Sequence, residues 1–269
     1  MRVLVTGAAG SIGRVVATGL TDRGHEVVGF DVLPAPDGYD GPWHTGDCAD
    51  IDAVMAVFAE AGPIDGVVHL AGIPTESSLP DALTSHVVTT GALLDAMVAH
   101  DVGRIVYASS NHAVGRTPRP TDPDQLIGVD TPPRPDTSYG VAKVAAEALL
   151  RLHVDRHGID AVSCRIGSFT EYPENVRALS TWLSPDDSVR MVEAALTTPA
   201  PGFAILYGIS ANTRAWWDLE PGHALGYDPQ DDAEEFATQV QPSEHDGADA
   251  EHVGGPYAGP RFERPALDR

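Results

Sequence analysis

The amino-acid sequence predicts an α/β protein built on a doubly wound parallel sheet with a small C-terminal lobe, and three observations carry that expectation. Short apolar runs rich in branched residues alternate with longer segments of helical periodicity, the rhythm of parallel strands joined by crossover helices. A glycine-rich turn stands between the first apolar run and the first helical segment. At 269 residues the chain is long enough to bury one large core.

Taken in order, residues 2–6 read as the first strand and 12–20 as the first helix, with apolar residues at helical spacing. Further strands are expected over 27–31, 67–70, 104–109, 162–166 and 204–207, with helices over 51–58, 92–100 and 141–153. Residues 117–135 hold Pro118, Pro120, Pro123, Pro132, Pro133 and Pro135, which excludes helix or central strand because proline has no amide donor. That stretch reads as a loop over a site. Ser184-Pro185-Asp186-Asp187 has the serine cap, first-turn proline and early acids of a helix start. From Gln241 the chain is polar, acidic and rich in glycine and proline, the composition of an extended or disordered tail.

The net charge of -22, from 17 basic against 39 acidic residues, repels nucleic acid and anionic membrane surfaces. Cys48 and Cys164 stand alone without CxxC spacing, which argues for two buried thiols rather than a disulfide framework or zinc site. The first residues pass directly into a strand pattern, so no signal peptide is expected. No run is read as long enough to span a bilayer, and the expected location is cytoplasmic.

The turn Gly7-Ala8-Ala9-Gly10-Ser11-Ile12-Gly13 opens the first helix. In that position free amides and the helix dipole meet a pyrophosphate, with Gly7, Gly10, Ser11, Ile12 and Gly13 in contact. Asp31 ends the second strand eighteen residues after Gly13. A carboxylate there accepts from adenosine ribose hydroxyls and repels a 2'-phosphate, and Val32 follows rather than arginine, so NAD is favoured over NADP. Asp47 can read the adenine edge or serve as a cap.

Lys143 is the only lysine; the other sixteen basic residues are arginine. It follows Tyr139 by four residues, one helical turn on the same face. Tyrosine has a pKa of about 10 and is a poor base at neutral pH until a neighbouring ammonium favours its phenolate. The lysine can also hydrogen-bond the nicotinamide ribose. Ser109-Ser110-Asn111-His112 follows another predicted strand, and the agreement of these signals sets the pair apart from a chance surface pair.

With GAAGSIG, Asp31, Leu70-Ala71-Gly72, Ala108-Ser109-Ser110 and Tyr139-Gly140-Val141-Ala142-Lys143, nearly the whole chain resembles the extended short-chain dehydrogenase/reductase (NAD-dependent epimerase/dehydratase-like) family. The resemblance implies a Rossmann fold, Ser110, Tyr139 and Lys143 as the catalytic triad, and Leu70, Ala71 and Gly72 in the NAD site beside Tyr139 and Lys143. It also implies self-association as a homo-oligomer. Many members carry an asparagine in the helix after the Leu-Ala-Gly string; here the stretch is Thr84-Ser85-His86-Val87-Val88, and His86 falls in that place. The implied organisation is a catalytic NAD-binding domain over 1–166, a substrate lobe with a returning strand over 167–240, and an acidic tail over 241–269.

SSNHAVG at 109–115, RIGSF at 165–169, NVRALSTWLS at 175–184, and YGISAN at 207–212 with Trp216-Trp217-Asp218 look like the uronate dehydrogenases of that family. This implies oxidation of a hexuronic acid at C1 to the aldaric acid lactone, with NAD reduced and no metal. Arg177 is the expected carboxylate ligand, because a guanidinium pairs bidentately with an anion that this acidic chain otherwise repels. Asn111, His112 and Ser168 are expected on sugar hydroxyls, and Thr75 in the loop after the Leu-Ala-Gly string. Arg165, Trp216 and Trp217 read as structural, and Tyr257 as a residue that could close over substrate. The alternatives are an NAD-dependent glucose 6-phosphate dehydrogenase, an NAD-retaining sugar epimerase or dehydratase, and an NAD-sensing regulator without turnover.

Overall fold

The computed structural model describes residues 1–122, 125–259 and 262. Pro123 of the proline-rich loop and most of the chain after Gly259 lie outside them. Its centre is a seven-stranded sheet in the order β3-β2-β1-β4-β5-β6-β9: β1 (Arg2–Thr6), β2 (Glu26–Asp31), β3 (Trp43–Thr45), β4 (Gly66–His69), β5 (Arg104–Ser110), β6 (Asp160–Ile166) and β9 (Phe203–Gly208). Every pairing is parallel. The order reverses between β1 and β4, and such a switch point opens a crevice at the carboxyl ends of the strands. Six strands fall where the alternation places them; β3, three residues at the edge, leaves too short a signal to read.

The central strands are buried on both faces, which is why they read as continuous apolar runs. One face packs Leu4, Val28, Val67 and Ile105 against α2 (Ile51–Glu60), α4 (Thr89–Ala99) and α5 (Ser138–His157). The other packs Val5, Val68, Val106 and Val162 against α1 (Ser11–Asp22) and α7 (Pro185–Thr197). In α1 the buried residues Gly13, Val16, Ala17 and Leu20 form one stripe. Gly19 of α1 lets α7 come close, since a Cβ there would lie 2.5 Å from Val189. The start of α7 has the predicted cap: Ser184 Oγ accepts from Asp187 N at 2.9 Å, with Pro185 in the first turn.

The helix expected over 92–100 is longer. α3 (Leu79–Leu83), a π turn (Thr84–Val88) and α4 run on as one helix over Leu79–Ala99. Its 21 residues reach the length and mean hydropathy (1.3) of a membrane span, which the sequence reading did not register; half of that apolar window is buried inside the fold. β7 (Ser168–Phe169) and β8 (Trp182–Leu183) form a separate parallel pair around α6 (Ala178–Thr181). Residues 167–240 therefore supply both this small layer and the seventh strand of the main sheet.

Composition suggests a loose tail after Gln241, but residues 251–254 pair along the proline-rich loop. Arg119 N donates to Glu251 O, Val253 N to Thr117 O, and Gly254 N to Gly115 O at 2.8–3.0 Å. Val253 is fully buried in a small cluster with Trp216 and Trp217. One apolar side chain and a run of backbone bonds outweigh the polar composition around them.

Candidate active site

The crevice beside β1 and β4 holds about 590 Å³ and is lined by Gly7, Gly10, Ser11, Ile12, Gly13, Asp31, Asp47, Leu70, Ala71, Gly72 and Ala108, among others. The glycines fit a cradle for a dinucleotide. A Cβ on Gly13 would lie 2.1 Å from Gly7 O, and one on Gly7, at φ +68°, 2.6 Å from Ala71 N. Helix α1 begins at Gly10 with no side chain capping its first amides, which leaves those donors for an anion. Asp31 is fixed by its neighbours: Oδ2 accepts from Ala9 N at 2.9 Å and Oδ1 from Leu33 N at 3.0 Å. It is thus both a turn residue and a carboxylate on the crevice wall. Asp47 is exposed on the wall and accepts from Ala49 N; the cap of α2 is Asp50.

Replacing Asp31 with Ala is expected to weaken NAD binding by about 10–100-fold, the loss of charge-assisted hydrogen bonds, while NADP binding weakens less or improves. Titration calorimetry with both dinucleotides reads the difference.

Ser110, Tyr139 and Lys143 meet beside Ala108, a residue of the crevice wall, although none of the three is itself among the residues that line the crevice. Lys143 is 4% exposed. Its Nζ donates to Ala108 O at 2.6 Å and lies 5.2 Å from the Tyr139 ring centroid and 4.9 Å from that of Tyr107. Burial pushes its pKa down to about 7, partly opposed by the Glu147 carboxylate. Burial also pushes Tyr139 up to about 12, against a hydrogen bond with Ser110 that acts in the lowering direction. The pair is therefore held nearer its neutral forms than the sequence reading of an ammonium beside a phenolate; desolvation acts on both groups.

His86 lies in the π turn, 2% exposed. Its ring edge meets the Tyr139 ring at 5.1 Å between centroids, and its Nε2 donates to Ile73 O at 3.0 Å. Burial, followed by the charge of Lys143, lowers its pKa to about 2, so it stays a neutral imidazole wedged beside the tyrosine. Asn111 is 1% exposed and its Nδ2 is buried with no hydrogen-bond partner among the described residues. A polar amide orphaned at this spot fits a ligand that is to be bound there. His112 stacks edge-on between Tyr139 (6.0 Å) and Tyr257 (5.1 Å), with Nδ1 on Asp136.

Arg177 donates from Nε and Nη2 to Val253 O (3.2 and 2.7 Å) and from Nη1 to Ser168 Oγ (3.4 Å). Burial lowers its pKa to about 10, opposed by Asp136, Asp249 and Tyr257. Gly255 packs on the stem of Arg177, so the tail ties Arg177 to the wall that carries Tyr257 and His112. Thr75 is exposed, one residue before the carboxylate that bonds the start of α5. Arg165 is buried and paired with Glu147, and Trp216 and Trp217 are packed in the satellite cluster.

Three carboxylates escaped the sequence reading. Glu76 accepts from Ser138 N and Tyr139 N at 3.1 and 3.0 Å, fastening the loop after Gly72 to the start of α5. Nothing in a loop glutamate announces this. Glu147 lies one turn past Lys143 and accepts from Ser109, Ser163 and Arg165; a lone acid on the apolar face of a predicted helix was the available signal. Asp136 stands one residue before Thr137, which caps α5, and its own side chain turns inward onto His112.

The NAD dependent epimerase/dehydratase family matches residues 3–172. Uronate dehydrogenase from Pseudomonas putida is 36% identical over 261 residues, 96% of this chain and 95% of that protein. An NAD-dependent glucose-6-phosphate dehydrogenase from Haloferax volcanii is 34% identical over 259 residues, 89% of this chain and 97% of that protein. The crystal structure of a mutant uronate dehydrogenase from Agrobacterium tumefaciens complexed with NAD superimposes with a TM-score of 0.86 at 36% identity, covering 98% of both chains.

Proposed function

The chain belongs to the NAD dependent epimerase/dehydratase family, and on that premise we propose that it is an NAD-dependent oxidoreductase. Its proposed reaction oxidises a hexuronic acid, galacturonate or glucuronate, at C1 to the aldaric acid lactone. NAD, when bound, supplies a hydride acceptor and a positive charge on the nicotinamide. Gly7, Gly10, Ser11, Ile12 and Gly13 hold its pyrophosphate, Asp31 its adenosine ribose, Asp47 its adenine edge, and Leu70, Ala71 and Gly72 its inner half. Tyr139 takes the proton of the C1 hydroxyl, Ser110 donates to that oxygen, and Lys143 orients the ribose and supports the developing phenolate. Asn111, His112, Ser168 and Thr75 face the sugar hydroxyls. The enzyme is read as a homo-oligomer on the family resemblance, and a cytoplasmic location is the expectation from the sequence.

The observation that carries the substrate is Arg177. Its half-buried guanidinium makes three hydrogen bonds, to a carbonyl and a hydroxyl, which leaves part of a five-donor fork for an anion. A neutral aldose gives that cation nothing to bind. A sugar phosphate would place a larger dianion at the same point, and the uronate strings around Arg177 favour the carboxylate. NADH formation with galacturonate, glucuronate, glucose 6-phosphate and glucose in parallel tests the reading. Turnover confined to the uronates is expected, and Arg177→Met should raise their KM by about 10–100-fold, the loss of hydrogen bonds to a charged group. Preference for glucose 6-phosphate, or an unchanged uronate KM in the variant, would overturn it.

A further inference from the structure

Asp136 is a carboxylate that the reaction as proposed does not use, yet it is placed behind a residue that faces the sugar. Its side chain is fully buried, and both oxygens lie on His112 Nδ1, at 3.0 and 2.9 Å. Thr137 Oγ1 donates to Oδ1 at 3.1 Å. The tail closes the far side, for a Cβ on Gly254 would fall on Oδ2. The carboxylate is thus sealed from water, hydrogen-bonded to one imidazole and one hydroxyl, and its charge also acts on the Arg177 guanidinium. The ring on the other side of that bond stands edge-on to Tyr139 and to Tyr257.

We propose that Asp136 is a positioning residue: it keeps the proton of His112 on Nδ1 and so presents Nε2 as the hydrogen-bonding atom beside Tyr139. An ionised carboxylate accepts only, so Nδ1 must donate, and in a neutral ring Nε2 must then accept. His112 therefore selects a hydroxyl that donates to it. A deoxy or methoxy sugar at that carbon leaves Nε2 unpaired and is discriminated against. The inference rests on the uronate reading for its substrate, but its tautomer claim stands apart from it.

Nitrogen-15 NMR of the imidazoles, with His112 assigned by its loss in His112→Gln, should show Nδ1 protonated in the native protein and a shifted or mixed tautomer in Asp136→Ala. In kinetics, Asp136→Ala is expected to raise the uronate KM by about tenfold, one hydrogen bond's worth, with KM for NAD and kcat changed less than about twofold. In a His112→Gln background the same substitution should add much less than it does alone, the remainder passing through the charge of Asp136 on Arg177. Asp136→Asn, isosteric, gives the same cycle with a smaller effect if the alanine variant does not fold. An Nδ1 that is unprotonated in the native protein, or effects that multiply in the double variant, would overturn the proposal. Failure of uronate turnover alone would sink the substrate reading and leave the tautomer measurement to decide this one.

Discussion

Replacing Tyr139 with Phe is expected to lower kcat for uronate oxidation by about 10²–10⁴-fold, the contribution of a positioned general base, with NAD binding and folding little changed. The phenyl ring keeps the packing against His86 and His112, so the loss isolates the hydroxyl. Burial holds the native phenol up at about 12, and a base must be deprotonated to act. In the native enzyme kcat/KM for oxidation should therefore climb as pH rises from neutral into the alkaline range, and this climb should vanish in the variant. Initial rates of NADH formation across pH decide it; a Tyr139→Phe enzyme within twofold of native would remove the base assignment.

Lys143 gives the same assignment a stability signature. Its pKa in the fold is about 7, below the ordinary lysine value of about 10.4. Between those two values the unfolded chain binds the proton and the folded chain has released it, so stability contributed at this position rises with pH across that interval. Lys143→Met removes that slope, and at pH 7 the variant should be as stable as the native chain or more so, while turnover is lost. A residue whose replacement helps the fold and abolishes the chemistry is kept for the chemistry.

Glu147→Ala is expected to destabilise the protein by about 3–5 kcal/mol, the cost of leaving a buried guanidinium without its partner. Glu147 and Arg165 have side chains 7% and 2% exposed and pair at 2.9 Å. Glu147 Oε1 also accepts from Ser109 Oγ at 2.6 Å and Ser163 Oγ at 3.3 Å. One carboxylate therefore joins α5, which carries Tyr139 and Lys143, to β5, which ends in Ser110, and to β6. Its loss should lower the denaturation midpoint and kcat together, because the register between helix and strand is what brings the triad into contact. Glu147→Gln with Arg165→Met, which removes both charges, should recover a large part of the stability. A single variant as stable as the native chain in urea would show that the pair carries no such load.

Much of the fold was legible because it is written in local patterns. Parallel strands buried on both faces must be apolar throughout, and their crossover helices must carry a 3.6-residue stripe. Each of those constraints acts within a dozen residues. The edge strand Trp43–Thr45 was not legible, since three residues, two half-buried and one exposed, carry no periodicity. The π turn was not either, because its extra residue shifts the helical phase between Leu83 and Thr89 and hides the first turns of α4. In the site, the glycine turn and the Tyr139–Lys143 spacing could be read because both are short-range geometries. The environment that sets their charge could not: the burial that moves Tyr139 and Lys143 toward neutral comes from distant segments, His86 and Tyr107 among them.

By itself the sequence determined the order of strands and helices, the place of the dinucleotide turn, the acidic carboxylate at the end of β2, and the pairing of one phenol with the single lysine. Those follow from residue type and spacing alone, since an amide cradle, a ribose acceptor and an i,i+4 pair are properties of a few consecutive residues. Only the tertiary structure decided that Asp136 lies behind His112, that Glu147 locks the catalytic helix to two strands, and that the tail from Glu251 to Tyr257 closes on Arg177 and His112. These contacts join residues from 18 to 145 positions apart (Arg165 to Glu147, Tyr257 to His112). A carboxylate's partner at such range is chosen by packing, which excludes water and forces each buried charge onto whatever donor the fold has brought beside it.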